Sequence, residues 1–225
     1  MDTHRSQWIG RRVRTARQLY AGECGAGYAE ATMILCAAIS ALAAERWPGK
    51  RKDRARFVQM LVEFLPAEFH ATKLSIPLLI GGLVQKSLRT EAEAIQNQFL
   101  RFDPSRALTG EEVDQAEKEV LALCPTLSAN LLRQFSYANL LYEEVRSAYV
   151  HEYSTGVRAD AWPTTLQTNA SISYGNWVNE PIRHIHFHIE WVIDVVIAVA
   201  KSIDSSSSVF PRPYPDTWWL DGNAS

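Results

Sequence analysis

The run Arg146-Ser147-Ala148-Tyr149-Val150-His151-Glu152-Tyr153 has residue types and spacing suited to phosphate-ester chemistry. On a helix, Arg146 and Tyr153 are seven residues apart and lie near one face, with Tyr149 between them. His151 follows Arg146 by five residues, about 140° round the axis. It also falls in the last turn, where the negative end of the helix dipole favours an imidazolium by about 0.3–1 kcal/mol. A permanently charged guanidinium can neutralise the charge that builds on phosphoryl oxygens. An imidazole one turn away can exchange a proton with the attacking or leaving oxygen. Glu143, at i−3, has the spacing for a salt bridge that orients Arg146, and Glu144 flanks the same arginine.

Two other clusters compete for attention. His184, His186 and His188 alternate, and on a strand all three would share a face and could chelate a metal. The apolar stripe Ile182, Ile185, Ile189 instead spells a helix, which leaves only His184 and His188 together, with Glu180 one turn before them. The run Lys50-Arg51-Lys52-Asp53-Arg54-Ala55-Arg56 places five positive charges in seven residues. Lys50, Arg51, Lys52 and Arg54 are therefore candidates for tracking an RNA backbone, the alternative being a solvated loop between helices. Cys24, Cys36 and Cys124 are too few and too scattered for a disulfide framework or a zinc cluster. Gly22, Gly25 and Gly27 follow no strand and make no dinucleotide fingerprint.

The pattern Arg146-x-x-x-x-His151-x-Tyr153, near the end of a helix in a helical chain, resembles the signature of the HEPN superfamily, and Tyr142–Tyr153 resembles its bacterial members. The resemblance implies an all-α bundle over roughly residues 28–203 and a metal-independent endoribonuclease without a cofactor, of the toxin–antitoxin or phage-defence kind. It would act as a homodimer that pairs two such motifs. Arg146 would hold the scissile phosphate, and His151 would move the proton of the ribose 2′-OH. Tyr153 matches the tyrosine that a partner nucleotidyltransferase, serving as antitoxin, modifies in some members. Ser147 departs from the Asn, Asp or His common after the arginine, although its hydroxyl can still hydrogen-bond a phosphate oxygen. Some members bind nucleotides or proteins without cleaving anything, which is the alternative reading.

The elements that must position these residues are helical. Ile9, Val13, Ala16 and Tyr20 form a stripe over 5–20, within a basic N-terminal segment 1–22. Residues 28–46 read as a mostly buried helix, ended by Trp47-Pro48-Gly49. The next helix starts at Asp53 and stops at Pro66. Ser75 with Pro77 opens another, residues 90–100 continue as a more polar one, and Thr109 with Glu112 has capping-box spacing before an acidic helix reaching Val120. The motif helix is expected from Ser128 to Tyr153, stopped by Gly156. A loop follows at 157–179, with one short strand at 171–174. The last long helix is capped by Asn179 with Pro181 in its first turn. One helical domain over 1–204 and an extended Ser/Pro-rich tail over 205–225, with Trp218-Trp219 docked, complete the expectation.

Composition agrees with this reading. The chain has 225 residues, 47% hydrophobic and 21% charged, with net charge −2, which suits a globular fold and excludes a histone-like polycation. The charge is segregated: residues 1–60 hold 11 Lys/Arg against 5 Asp/Glu, and the rest is acidic. No apolar run separates the first arginines in the manner of a secretory signal. The longest uncharged apolar stretch, between Glu30 and Glu45, has 14 residues and is short of the roughly 20 a membrane span needs. The expectation is a cytoplasmic protein with no membrane partner.

Overall fold

The computed structural model describes residues 4–49, 52–100, 107–161, 171–176, 183–206, 211–220 and 222–223, with the side chains of 176, 222 and 223 left aside. The chain is mostly helical. α1 (His4–Tyr20), α2 (Tyr28–Arg46) and α3 (Asp53–Phe64) form where the apolar stripes place them. α4 (Ile76–Gln85) begins at Ser75, whose Oγ accepts from the Leu78 amide, and α5 is Arg89–Phe99. α2 is the central helix, packed against α1, α3 and α11 (Ile189–Ser205). Its length and hydropathy would also suit a membrane span, yet Leu35, Cys36, Ile39 and Ala43 are closed off from solvent inside the bundle.

The acidic helix expected through Val120 breaks in two. α6 (Gly110–Val113) keeps the capping box, with Glu112 accepting from the Thr109 amide at 2.9 Å, and α7 is Glu117–Leu123. Asp114 turns inward between them. Its Oδ1 accepts from the Ile76 amide at 2.9 Å, and its Oδ2 accepts from the hydroxyls of Tyr137 and Tyr174, each at 2.5 Å. One buried carboxylate thereby ties three separate stretches of chain together. Gly110 lies against this knot, where an added Cβ would overlap the Tyr137 hydroxyl and come within 2.9 Å of Asp114 Oδ2. Gly110→Ala is expected to destabilise the fold by about 1–3 kcal/mol through overpacking, measured as a drop in the chemical denaturation midpoint.

The motif helix is not one continuous α-helix. It comprises α8 (Ala129–Arg133), α9 (Tyr137–Leu140), a π-helical segment at Leu141–Ser147 and α10 (Ala148–Glu152). The break falls at 134–136 because the backbone there serves a different partner. Phe135 O accepts from the Ser75 amide, while the amides of Tyr137 and Ala138 donate to Lys73 O and Ala71 O. Ser136 then restarts the helix by capping the Asn139 amide.

A small sheet of short strands accompanies the helices. β1 (Leu108–Thr109), β2 (Ile172–Asn176) and β3 (Arg183–Phe187) pair antiparallel in that order, with Tyr174 opposite Ile185 and Ile172 opposite Phe187. The short strand read at 171–174 is the core of β2. The last helix starts at Ile189, not after Asn179. Asn179 and Pro181 lie outside the described residues, as do Trp162, Pro163, Glu180 and Ile182. After α11 the tail folds back: the Arg212 amide bonds Arg46 O, and Trp218 packs edge-on to Trp47 at 5.7 Å. Arg133 donates to Trp219 O and lies over its ring. Thr217–Trp218 (β4) pairs with Gly222–Asn223 (β5).

Candidate functional site

The π-helical segment carries Arg146, and π turns within α-helices recur at functional sites. Arg146 is half-buried. Its guanidinium lies over the Tyr142 ring, 5.1 Å from the centroid, and Nη1 donates to the Tyr142 hydroxyl at 3.4 Å. Beneath it is α2: burial pushes the Cys36 thiol up to about 12, and the Arg146 charge pulls the other way. Among the described residues no carboxylate pairs with Arg146.

Both flanking glutamates are engaged elsewhere, so the expected Glu143–Arg146 bridge is not made. Glu143 pairs with Arg54 Nε at 2.7 Å. Glu144 is buried and accepts from Arg158 Nε at 2.6 Å and from the Arg158 amide at 3.1 Å. Glu144 therefore flanks Arg146 in sequence without orienting it, and Arg158, fourteen residues on, is the partner that local spacing could not reveal. Gly156 does not stop the motif helix. It allows the loop to close on Glu144, whose carboxylate would overlap a Cβ at that position. The stop is Tyr153, in the left-handed region at φ 54°.

His151 is exposed in the last turn of α10 and has no hydrogen-bond partner among the described residues. Ser147 is half-buried at the junction of the π segment and α10. Tyr153 is 65% exposed, and its hydroxyl donates to Glu30 in the first turn of α2. That bond holds the Glu30 carboxyl below its ordinary range and raises the Tyr153 phenol.

Of the basic run, Lys50 and Arg51 lie outside the described residues. Arg54 stands beside the motif, as an RNA site would require, yet it binds Glu143 and Asn139 Oδ1. Arg56 pairs with Asp53 and donates to Gly49 O at 3.0 Å. Lys52, at the N-cap position of α3, is half-buried.

The alternating histidines sit on and just after β3, so the helical reading of 183–188 is overturned. They still hold no metal site: among the described residues no three His, Cys, Asp or Glu side chains converge. His186 bonds Asp160 O through Nδ1 at 2.9 Å, and His188 reaches Ser173 Oγ at 3.1 Å. Burial lowers the His186 imidazole to about 4 and also lowers His188. The His186 ring lies 5.1 Å from that of Tyr28, which in turn lies 6.4 Å from Tyr149 of the motif. His186 thereby packs β3 against Tyr28 of α2.

A cleft of about 610 Å³ opens elsewhere, lined by His70, Lys73, Glu111, Asp114 and Gln115 among others. Neither Arg146 nor His151 lines it. Compared with known protein families, curated proteins and solved structures, the chain has no match.

Proposed function

We propose that the chain is a metal-independent endoribonuclease of the HEPN type, acting as a homodimer. The observation that carries this reading is Arg146: a half-buried guanidinium over the Tyr142 ring, with no carboxylate to neutralise it among the described residues. A partly desolvated charge without a counter-ion is favoured by an anion that completes the site, and a phosphodiester supplies one with the two-oxygen geometry that guanidinium prefers. His151 stands in the same short stretch with its ring in solvent, free to exchange a proton. A second copy facing the first would exclude water from this open surface.

Arg146 would neutralise the nonbridging oxygens of the scissile phosphate. His151 would take the ribose 2′-OH proton as that oxygen bonds to phosphorus; the P–O5′ bond would break, the 5′-oxygen would take a proton from water, and the protonated His151 would return its proton to the hydroxide so formed. The products are a 2′,3′-cyclic phosphate and a 5′-hydroxyl. Ser147 supports with a hydroxyl, and Tyr153 is the accessible phenol on which a nucleotidyltransferase antitoxin would act after the Glu30 bond opens. The test is digestion of total cellular RNA in EDTA by the wild type and by His151→Ala, with end-group analysis. Cyclic ends that appear only with the wild type are expected. Equal cleavage by both proteins, or cleavage only after metal is added, sinks the reading.

A further inference from the structure

The positive charge assigned by sequence to residues 50–56 is, where described, largely engaged in ion pairs within the chain. Unneutralised charge lies instead on α1. This helix has five arginines and no acidic residue. Arg5 pairs with Glu45, and Arg17 with Glu190. Arg11, Arg12 and Arg14 are exposed, and among the described residues none of their side chains has a hydrogen bond or ion pair. Arg12 rests over the Trp8 ring at 5.4 Å. Trp8 also walls a pocket of about 210 Å³, together with His4, Arg5, Ala41, Leu42 and Glu45.

One more residue on this face lacks a reason within the fold. Gly10 lies mid-helix and exposed, and an added Cβ there would meet nothing within 4 Å. Glycine inside a helix costs about 0.5–1 kcal/mol relative to alanine, and no neighbouring atom demands it. Gly10 lies one turn from Arg14 and about 160° round the axis from Trp8, and a residue without a side chain there permits close approach by another backbone.

We propose that the exposed side of α1 binds single-stranded RNA, the strand crossing the helix from Gly10 past Arg14 and Arg11, with Arg11, Arg12 and Arg14 on its phosphates and a base entering the Trp8 pocket beside Arg12. The naming of RNA rests on the ribonuclease reading; the polyanion does not. Arginines beside an aromatic platform are the combination that holds single strands without sequence preference. An anionic bilayer fits less well. The apolar residues of α1 (Ile9, Val13 and Ala16) are buried, and the outward positions Gln7, Gly10, Arg11, Arg14 and Gln18 have no apolar side chain to insert.

The experiment is fluorescence anisotropy with a labelled mixed-sequence RNA oligonucleotide, in EDTA and across a salt series, in a His151→Ala background. Neutralising all three arginines (Arg11→Gln, Arg12→Gln, Arg14→Gln) is expected to flatten the slope of log affinity against log salt by about 2, since single strands give roughly 0.7 per phosphate contact. Trp8→Phe is expected to weaken binding several-fold. Gly10→Gln is expected to weaken binding while leaving the melting temperature unchanged or higher, a pairing that mere structural damage would not produce. An unchanged salt slope in the triple variant overturns the proposal, as does binding to phosphatidylserine vesicles with none to RNA. Salt-dependent binding through α1 in a protein that cleaves no RNA would leave this inference standing and remove the nuclease. Cleavage that needs His151 but ignores α1 would do the reverse.

Discussion

RNA cleavage is expected to fall by roughly 10²–10⁴-fold in His151→Ala, the usual worth of a positioned proton-transfer group, and by roughly 10²–10³-fold in Arg146→Ala, the usual worth of one preorganised donor to developing charge. Initial rates on a fluorogenic single-stranded substrate in EDTA measure both. The two variants should part company in stability. His151 is exposed and has no hydrogen-bond partner among the described residues, so its loss should leave stability within about 0.5 kcal/mol. Arg146→Ala removes a stacking contact on Tyr142 that is worth on the order of 0.5–1 kcal/mol, and it also relieves an uncompensated charge. Arg146→Lys should rescue little activity, because an ammonium cannot present two parallel donors to a phosphate. Full activity in Arg146→Lys would mean that only charge is needed there, and full activity in His151→Ala would remove the mechanism.

How much of this could be read from the residues depended on whether the relevant contact was local. α1 announces itself through the stripe Ile9, Val13 and Ala16, because a helix buries what recurs along its own chain, and α2 through an apolar run on nearly all sides. The caps at Ser75, Thr109, Ser128 and Ser136 are equally local, each bonding an amide three residues on or, at Thr109, pairing with Glu112. The errors fall where a distant partner decides. Residues 128–153 have a helical stripe throughout, yet Phe135 O and the amides of Tyr137 and Ala138 bond to residues 71–75, and that pairing splits the helix. His184-Ile185-His186-Phe187-His188 alternates with a period of two, a strand signal present in the sequence, but the overlapping Ile182–Ile185–Ile189 spacing suits a helix as well. Only the pairing with β2 resolves it. Arg146 and His151 are legible as a spacing. What surrounds them is not: Glu143 turns to Arg54, Glu144 to Arg158 and Tyr153 to Glu30, and each choice is made across the fold.

Stability should respond to pH through Asp114 in the direction opposite to that of an ordinary carboxylate. Burial raises its carboxyl to about 7, against the opposing pull of the Tyr137 and Tyr174 hydroxyls, the Ile76 amide and the nearby Lys73 charge. In the unfolded chain the same group titrates near 3.9. The folded state therefore holds a proton over the interval from about pH 4 to 7 that the unfolded state has released, and linkage makes folding more favourable wherever the native form binds more protons. The contribution is complete below about pH 4 and lost as pH rises through about 7, a swing on the order of a few kcal/mol. Other carboxylates, among them Glu30 with its lowered carboxyl, act in the opposite sense, so the quantity to measure is the difference between the wild type and Asp114→Asn. Denaturation from pH 8 to pH 5 should show the wild type gaining stability relative to Asp114→Asn. A constant difference across that range would mean that Asp114 stays ionised in the native state. Asp114→Ala is the harsher change, because it strips the Tyr137 hydroxyl and the Ile76 amide of their acceptor and leaves Tyr174 only Ser75 Oγ, at 2.9 Å. Orphaned buried donors cost about 1–3 kcal/mol each, so a loss of roughly 3–5 kcal/mol is expected at any pH, large enough to threaten the junction of α4, α6 and α9 with the sheet.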